Sequence, residues 1–179
     1  MTPSPLRTTL RQDTHDAHAR VDALLGGGIA DLETYQRYLG GMQRFLAACE
    51  DALLPAWPMA PLQALLADDM RALAVGPTPS LAAPLPATDE PSRLGVAYVV
   101  GGASVGARQL ARQAEALGFG PGRAASFLHV FAQGSMWNGV LASLDAARLD
   151  PHQTDRCRAA AVATFATAEA AFGGLEELR

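Results

Sequence analysis

The segment LRQDTHDAHARVDALL, residues 10–25, carries two histidines, His15 and His18, within one predicted helix. At 100° per residue, Leu6, Leu10, Ala17, Val21 and Leu24 form the apolar stripe of that helix. His18 falls about 70° from the centre of the stripe, beside Thr14 and Leu25, whereas His15 lies about 130° away among polar neighbours. His18 is therefore predicted to look inward and His15 to face water. Arg7 and Arg11 share the meridian of His18 toward the N-terminus, and Asp22 sits one turn beyond it.

This grouping has a chemical meaning. Metal-bound histidines donate their second ring nitrogen to an acceptor, which fixes the tautomer, and Asp22 is placed to accept. Guanidiniums on the same line suit the carboxylates or phosphates of a ligand. Together the residues describe a large apolar cofactor with an anionic edge, held by one axial histidine, and haem meets all three demands. Taken alone they also read as ordinary: a histidine at a helix edge is more often a hydrogen-bonded structural residue, and arginines there are more often solvated.

A second candidate stretch is RLGVAYVVGGASVGARQLARQ, residues 93–113, helical in its apolar pattern yet holding Gly95, Gly101, Gly102 and Gly106. Each interior glycine costs roughly 1 kcal/mol relative to alanine. Gly95, Gly102 and Gly106 project onto one face within about 40°, with Ala103 and Ala107 beside them. A face stripped of side chains lets a flat ligand touch the main chain. A close contact between two helices accounts for the same glycines.

The elements that must position these residues are all helical. Helices are predicted over 5–25, stopped by the three glycines at 26–28, then from Asp31 or Thr34 to near Pro55, and over 61–73. The proline-rich connector at 76–91 forbids a continuous helix. Further helices are predicted from 89–92 to 117, over 121–147, and over 151–172. No stretch alternates with period 2. The expectation is an all-α protein, a single domain over 1–179 with 76–91 as an internal connector.

Composition agrees. Of 179 residues 49 % are apolar, chiefly alanine and leucine, and aromatics make up 6 %, a mixture that loses little entropy in helices. Lysine is absent, so all 14 basic residues are arginine, and the net charge of −4 argues against a broad nucleic-acid surface. Cys49 and Cys157 stand apart, without metal-finger spacing, and read as buried thiols. The N-terminus lacks a secretory pattern, and the longest weakly polar run falls short of the about 20 residues a membrane span needs. A soluble cytoplasmic protein is expected.

LRQDTHDAHARVD, LETYQRYLGGMQRFLAACEDAL, LGVAYVVGGASVGARQLARQ, FLHVFAQGSMWNGVLASLD and AAAVATFATAEAAF each resemble a helix of one family. The chain resembles the haem oxygenases, in particular the short bacterial biliverdin-producing type. The likeness covers most of the chain and is most specific in the first and fourth helices. Two departures stand out: Gly101 occupies a position where many bacterial relatives have Glu, and Ala107 one where they often have a second glycine. Ala103 replaces a water-organising Asp of animal-type members.

The resemblance implies oxidative opening of haem at a meso carbon, giving biliverdin, carbon monoxide and ferrous iron, with haem b as both cofactor and substrate. It makes His18 the proximal iron ligand, supported by Asp22, and gives Gly102 and Gly106 the catalytic task of bringing bare main chain to the ring edge. Arg7 and Arg11, then Arg156 and Arg158, are the expected propionate contacts, with Thr14, Tyr98 and Ala103 lining the site. Tyr98, Phe127, Phe131, Trp137 and Phe165 read as core or wall, His129 as a buried hydrogen-bonded histidine and His152 as solvated. No glycine-rich nucleotide loop follows a strand, so electrons must come from a separate donor such as a ferredoxin or flavin reductase. Expected partners are haem, dioxygen, that donor and a bilin-accepting photoreceptor, with no nucleic acid and no membrane. The alternatives are a haem carrier or sensor that leaves the ring intact, and a helical relative with another small ligand.

Overall fold

The computed structural model describes residues 4–53, 55–81, 85 and 87–173. Its helices are α1 (Pro5–Asp13), α2 (His15–Leu24), α3 (Leu32–Leu53), α4 (Ala60–Ala72), α5 (Glu90–Ala116), α6 (Ser126–Ala132), α7 (Ser135–Ala146) and α8 (Pro151–Gly173). Among the described residues no strand forms, and β pairing is confined to isolated bridges at Gly120.

Short polar side chains ahead of the apolar runs start the helices by accepting from amides that lack a partner one turn earlier. Asp31 accepts from the Thr34 amide at 2.8 Å before α3, Asp89 from Ser92 at 2.9 Å before α5, and Asp150 from Gln153 at 2.8 Å before α8. The start of α6 is capped from a distance. The buried Asp69 of α4 accepts from the Phe127 amide at 2.8 Å, 58 residues away in sequence.

Two predicted helices are each broken in two. Thr14, with φ −101° and ψ 1°, ends α1, and its amide and hydroxyl both donate to the Leu10 carbonyl, at 3.1 and 2.7 Å. Leu10 and Ala17 are buried as expected, but Leu24 is exposed. The stretch predicted over 121–147 starts only at Ser126 and breaks again at Gly134, which takes the left-handed φ of 69° that glycine adopts freely. Of the connector, residues 82–84 and 86 lie outside the described residues. Its first part is non-helical, with the Thr78 hydroxyl donating to Gln43 at 2.8 Å.

The core gathers around α8, whose buried Cys157, Ala161, Thr164, Phe165, Ala168, Ala171 and Phe172 meet α5, α3 and α2. Glycines permit the closest approaches. The Phe172 ring stands where a Cβ on Gly41 would project, and the Cys157 carbonyl where one on Gly95 would. Gly95 thus serves a helix crossing, which separates it from the other glycines of its projected face. No described helix is long and apolar enough to cross a membrane.

Candidate functional site

Both α2 and α5 rest on α8, and both run parallel to it. Asp13 pairs with Arg158, the His18 ring meets Phe165 edge-on with centroids 5.8 Å apart, and Arg20 pairs with Glu169, which sets the direction of α2. Asp89 pairing with Arg156, and Gly95 lying on Cys157 and Ala161, set that of α5.

Between themselves α2 and α5 are tied at two places. At one end the Thr14 hydroxyl lies close enough to the Tyr98 phenol to influence its acidity. At the other, Gln113 of α5 accepts from the Ile29 amide at 2.9 Å and donates to the Gly27 carbonyl at 3.1 Å, holding the loop that follows α2. Roughly 22 Å of helix separate Tyr98 from Gln113 at 1.5 Å per residue. Between these ties the two helices make no extended contact.

Tyr98, Gly102, Gly106 and Gln113 fall within roughly 80° of one another at 100° per residue. The glycines therefore occupy the part of the α5 face that lies between the ties. A Cβ on Gly106 would meet nothing within 4 Å, and one on Gly102 only the Trp137 ring, at 3.8 and 4.0 Å. Gly101 faces away, toward Trp137 and Val140. On α2, His18 follows Thr14 by one turn, within roughly 40°. Tyr98 and Trp137, with ring centroids 5.7 Å apart, wall one end.

The expected orientation of His18 needs correcting. Its side chain is 64 % exposed, because α2 buries only Ala17 and leaves its flank open beside Phe165. His15 is exposed, as its angle foretold. The expected partner of His18 is in place, with Nδ1 3.0 Å from the Asp22 carboxylate. A carboxylate only accepts, so Nδ1 holds the proton of the neutral ring and Nε2 presents its lone pair.

Of the four arginines expected at an anionic edge, three are committed to carboxylates. Arg7 pairs with Asp145 at 3.1 Å, Arg156 with Asp89 at 2.6 Å, and Arg158 with Asp13 and Asp155. Arg11 is exposed and has no carboxylate partner among the described residues. Its charge acts on Tyr98, whose phenol is raised by burial and eased back by Thr14, Arg11 and Arg7. Thr14 is buried at the α1–α2 break, and Ala103 and Ala107 lie at the edge of the glycine face, Ala107 buried.

His129 is tied off elsewhere, with Nδ1 2.9 Å from the Ala125 carbonyl and Nε2 2.7 Å from Glu115. His152 is exposed at the start of α8. Both cysteines are free and buried, and burial pushes both thiols up, Cys157 to about 11, which makes them poor thiolate ligands. Among the described residues no three His, Cys, Asp or Glu side chains gather to hold a metal ion. A single imidazole with a free Nε2 suits a metal that brings its own equatorial ligands, as haem does.

Two concavities lie outside this cleft. One, about 490 Å³, runs along the outer face of α8 past Asp13, Arg158 and Val162. The other, about 340 Å³, sits behind α5 between Trp57, Met59, Ser104 and Phe131. In the first, Asp13, Asp155 and Arg158 satisfy one another, and the second has no ionisable lining. Sequence reasoning missed Gln113 altogether. The signal was indirect: three consecutive glycines need something outside the loop to hold them.

Two parallel helices on a common third, tied at their ends and open between, define the architectural class. That all-helical architecture is the haem oxygenase fold. The crystal structures of NO- and CO-bound heme oxygenase from Neisseria meningitidis match with a TM-score of 0.73 over 94 % of this chain and 92 % of that chain. Sequence identity is 22 %, so the likeness is one of fold. No protein-family model and no curated protein sequence matches the chain.

Proposed function

We propose that this chain binds haem between α2 and α5 and opens it oxidatively, giving biliverdin, carbon monoxide and ferrous iron from haem, dioxygen and externally supplied electrons. What supports this reading is an imidazole with a free Nε2 on α2, together with side-chain-free main chain at Gly102 and Gly106 on α5. The fold shared with a heme oxygenase supports it.

Haem, when bound, supplies both the redox-active iron and the ring that is opened. The residues of the chain hold and orient it. Asp22 keeps the Nδ1 proton and so keeps Nε2 aimed outward as a ligand. Gly102 and Gly106 let a flat macrocycle approach the helix more closely than any side chain would permit. Phe165, Tyr98 and Trp137 offer apolar walls that exclude water from the ring. Arg11, the uncommitted guanidinium, is the residue to meet a propionate, and a charge-assisted contact of that kind contributes about 1.5–3 kcal/mol when shielded. That bond chooses the in-plane orientation of the ring and hence the meso carbon attacked.

A second reading, a haem carrier or sensor, is favoured by one observation. Ser104, the sole hydroxyl between residues 101 and 107, is buried and donates to the Gly101 carbonyl at 2.6 Å, which leaves no free hydroxyl in the glycine-containing stretch 101–107 of α5. Titrating the protein with hemin separates the readings. A Soret band lost in His18→Ala supports both; a bilin spectrum after adding reductant and oxygen supports the enzyme, and a Soret band that persists supports the carrier. Equal hemin spectra for the wild type and His18→Ala would overturn both.

A further inference from the structure

The segment that carries His18 is weakly held. Of the ten residues of α2 only Ala17 is buried, and its ion pair to α8, Arg20 with Glu169, has the arginine 59 % exposed, where such pairs contribute little. The loop that follows is three glycines, Gly26, Gly27 and Gly28, with φ of 57°, 91° and 107°. Other residues rarely take such angles, and glycine itself is the least restrained of all in leaving them. Left to itself, this loop would let the C-terminal end of α2 swing.

One side chain prevents that. The carboxamide of Gln113 uses its oxygen for the Ile29 amide at 2.9 Å and its nitrogen for the Gly27 carbonyl at 3.1 Å, bracketing Gly28. It occupies the place a Cβ on residue 28 would need, so the contact also requires glycine there. Gln113 stands on the same face of α5 as Gly102 and Gly106, so the residue that grips the loop belongs to the helix that forms the opposite side of the cleft.

We propose that Gln113 is a positioning residue for His18: it latches the Gly26–Gly28 hinge to α5 and so fixes the distance and tilt of the imidazole relative to the glycine face. The buried α1–α2 junction at Thr14 is the pivot at the other end. With both ties made, α2 lies over α5 at one spacing; with the latch released, α2 moves as a lever and His18 leaves its register with Gly102 and Gly106. The inference about His18 as a ligand rests on the haem reading above, whereas the latch itself does not.

The test uses the full chain without haem first. Gln113→Met keeps the volume and removes both hydrogen bonds; Gln113→Glu keeps the acceptor for Ile29 but sets a second acceptor against the Gly27 carbonyl. Losing two neutral hydrogen bonds is worth about tenfold or more in the opening equilibrium. Amide exchange at Ile29 and over residues 18–25 should rise about tenfold in Gln113→Met and by less in Gln113→Glu, while α3 and α8 keep their protection. Hemin, added next, should dissociate faster from both variants, with the axial-histidine spectrum weakened or mixed. Unchanged exchange over 18–25, or an equal rise in all helices, would overturn the latch. If the wild type binds no hemin but the exchange pattern is as expected, the latch stands and the haem reading falls.

Discussion

Replacing Gly106 with alanine probes the cleft from its bare side, and the structure sets the sign of two separate effects. Gly106 is an exposed residue inside α5, with helical φ and nothing within 4 Å of a Cβ. Alanine there gains about 1 kcal/mol of helix propensity without steric cost, which in a chain of this size raises Tm by about 2–4 °C. On the proposed reading, the same methyl group would stand where a macrocycle approaches the main chain. Forcing an extra carbon into a tight contact costs about 1–3 kcal/mol, so hemin affinity should fall roughly 5- to 150-fold. Gly95→Ala is the contrasting control. Its Cβ would run into the Cys157 carbonyl, and that variant should lose about 1–3 kcal/mol of stability. Thermal melts and hemin titrations of the two variants decide the matter. A Gly106→Ala protein that melts lower than the wild type would mean the cleft is filled, and one that binds hemin as tightly would mean the glycine face does not meet the ring.

Arg11→Ala should weaken hemin binding or change the biliverdin isomer formed, read by product chromatography, while Arg156→Ala leaves the isomer unaltered because that guanidinium serves Asp89. Burial alone would lower His129, but Glu115, the Ala125 carbonyl and Asp69 raise it on balance. Its contribution to stability is therefore complete below the ordinary histidine value of 6.5 and fades as pH climbs through the raised one. The Tm difference between the wild type and His129→Gln should shrink over that interval, and a constant difference from pH 5 to 9 would contradict the assignment. Asp69→Ala strands the buried Phe127 amide, so urea denaturation should show a loss of about 1–3 kcal/mol.

The sequence is informative where local rules decide. Asp31, Asp89 and Asp150, each followed by an apolar helical run, mark the starts of α3, α5 and α8 within a residue or two, and the all-α class follows from the absence of alternation. It is silent where distant partners decide. The arginines at 7, 156 and 158 look like ligand contacts until Asp145, Asp89 and Asp13 arrive from other helices. Gly95, Gly102 and Gly106 share a projected face, yet the first is covered by α8 and the last is open. His18 and Asp22 were legible because their relation is one turn of a helix; Gln113 was not, because its partners lie across a loop.

The position of α8 has a consequence for how the protein is made. The cleft helices rest on it, and Asp13 must wait for an arginine 145 residues downstream. On a ribosome adding about 5–20 residues per second, α2 emerges many seconds before its support does. During synthesis the nascent chain therefore exposes the unsupported side of α2 and the inner side of α5. Chaperone contact should fall on those two segments until the C-terminal helix has left the exit tunnel.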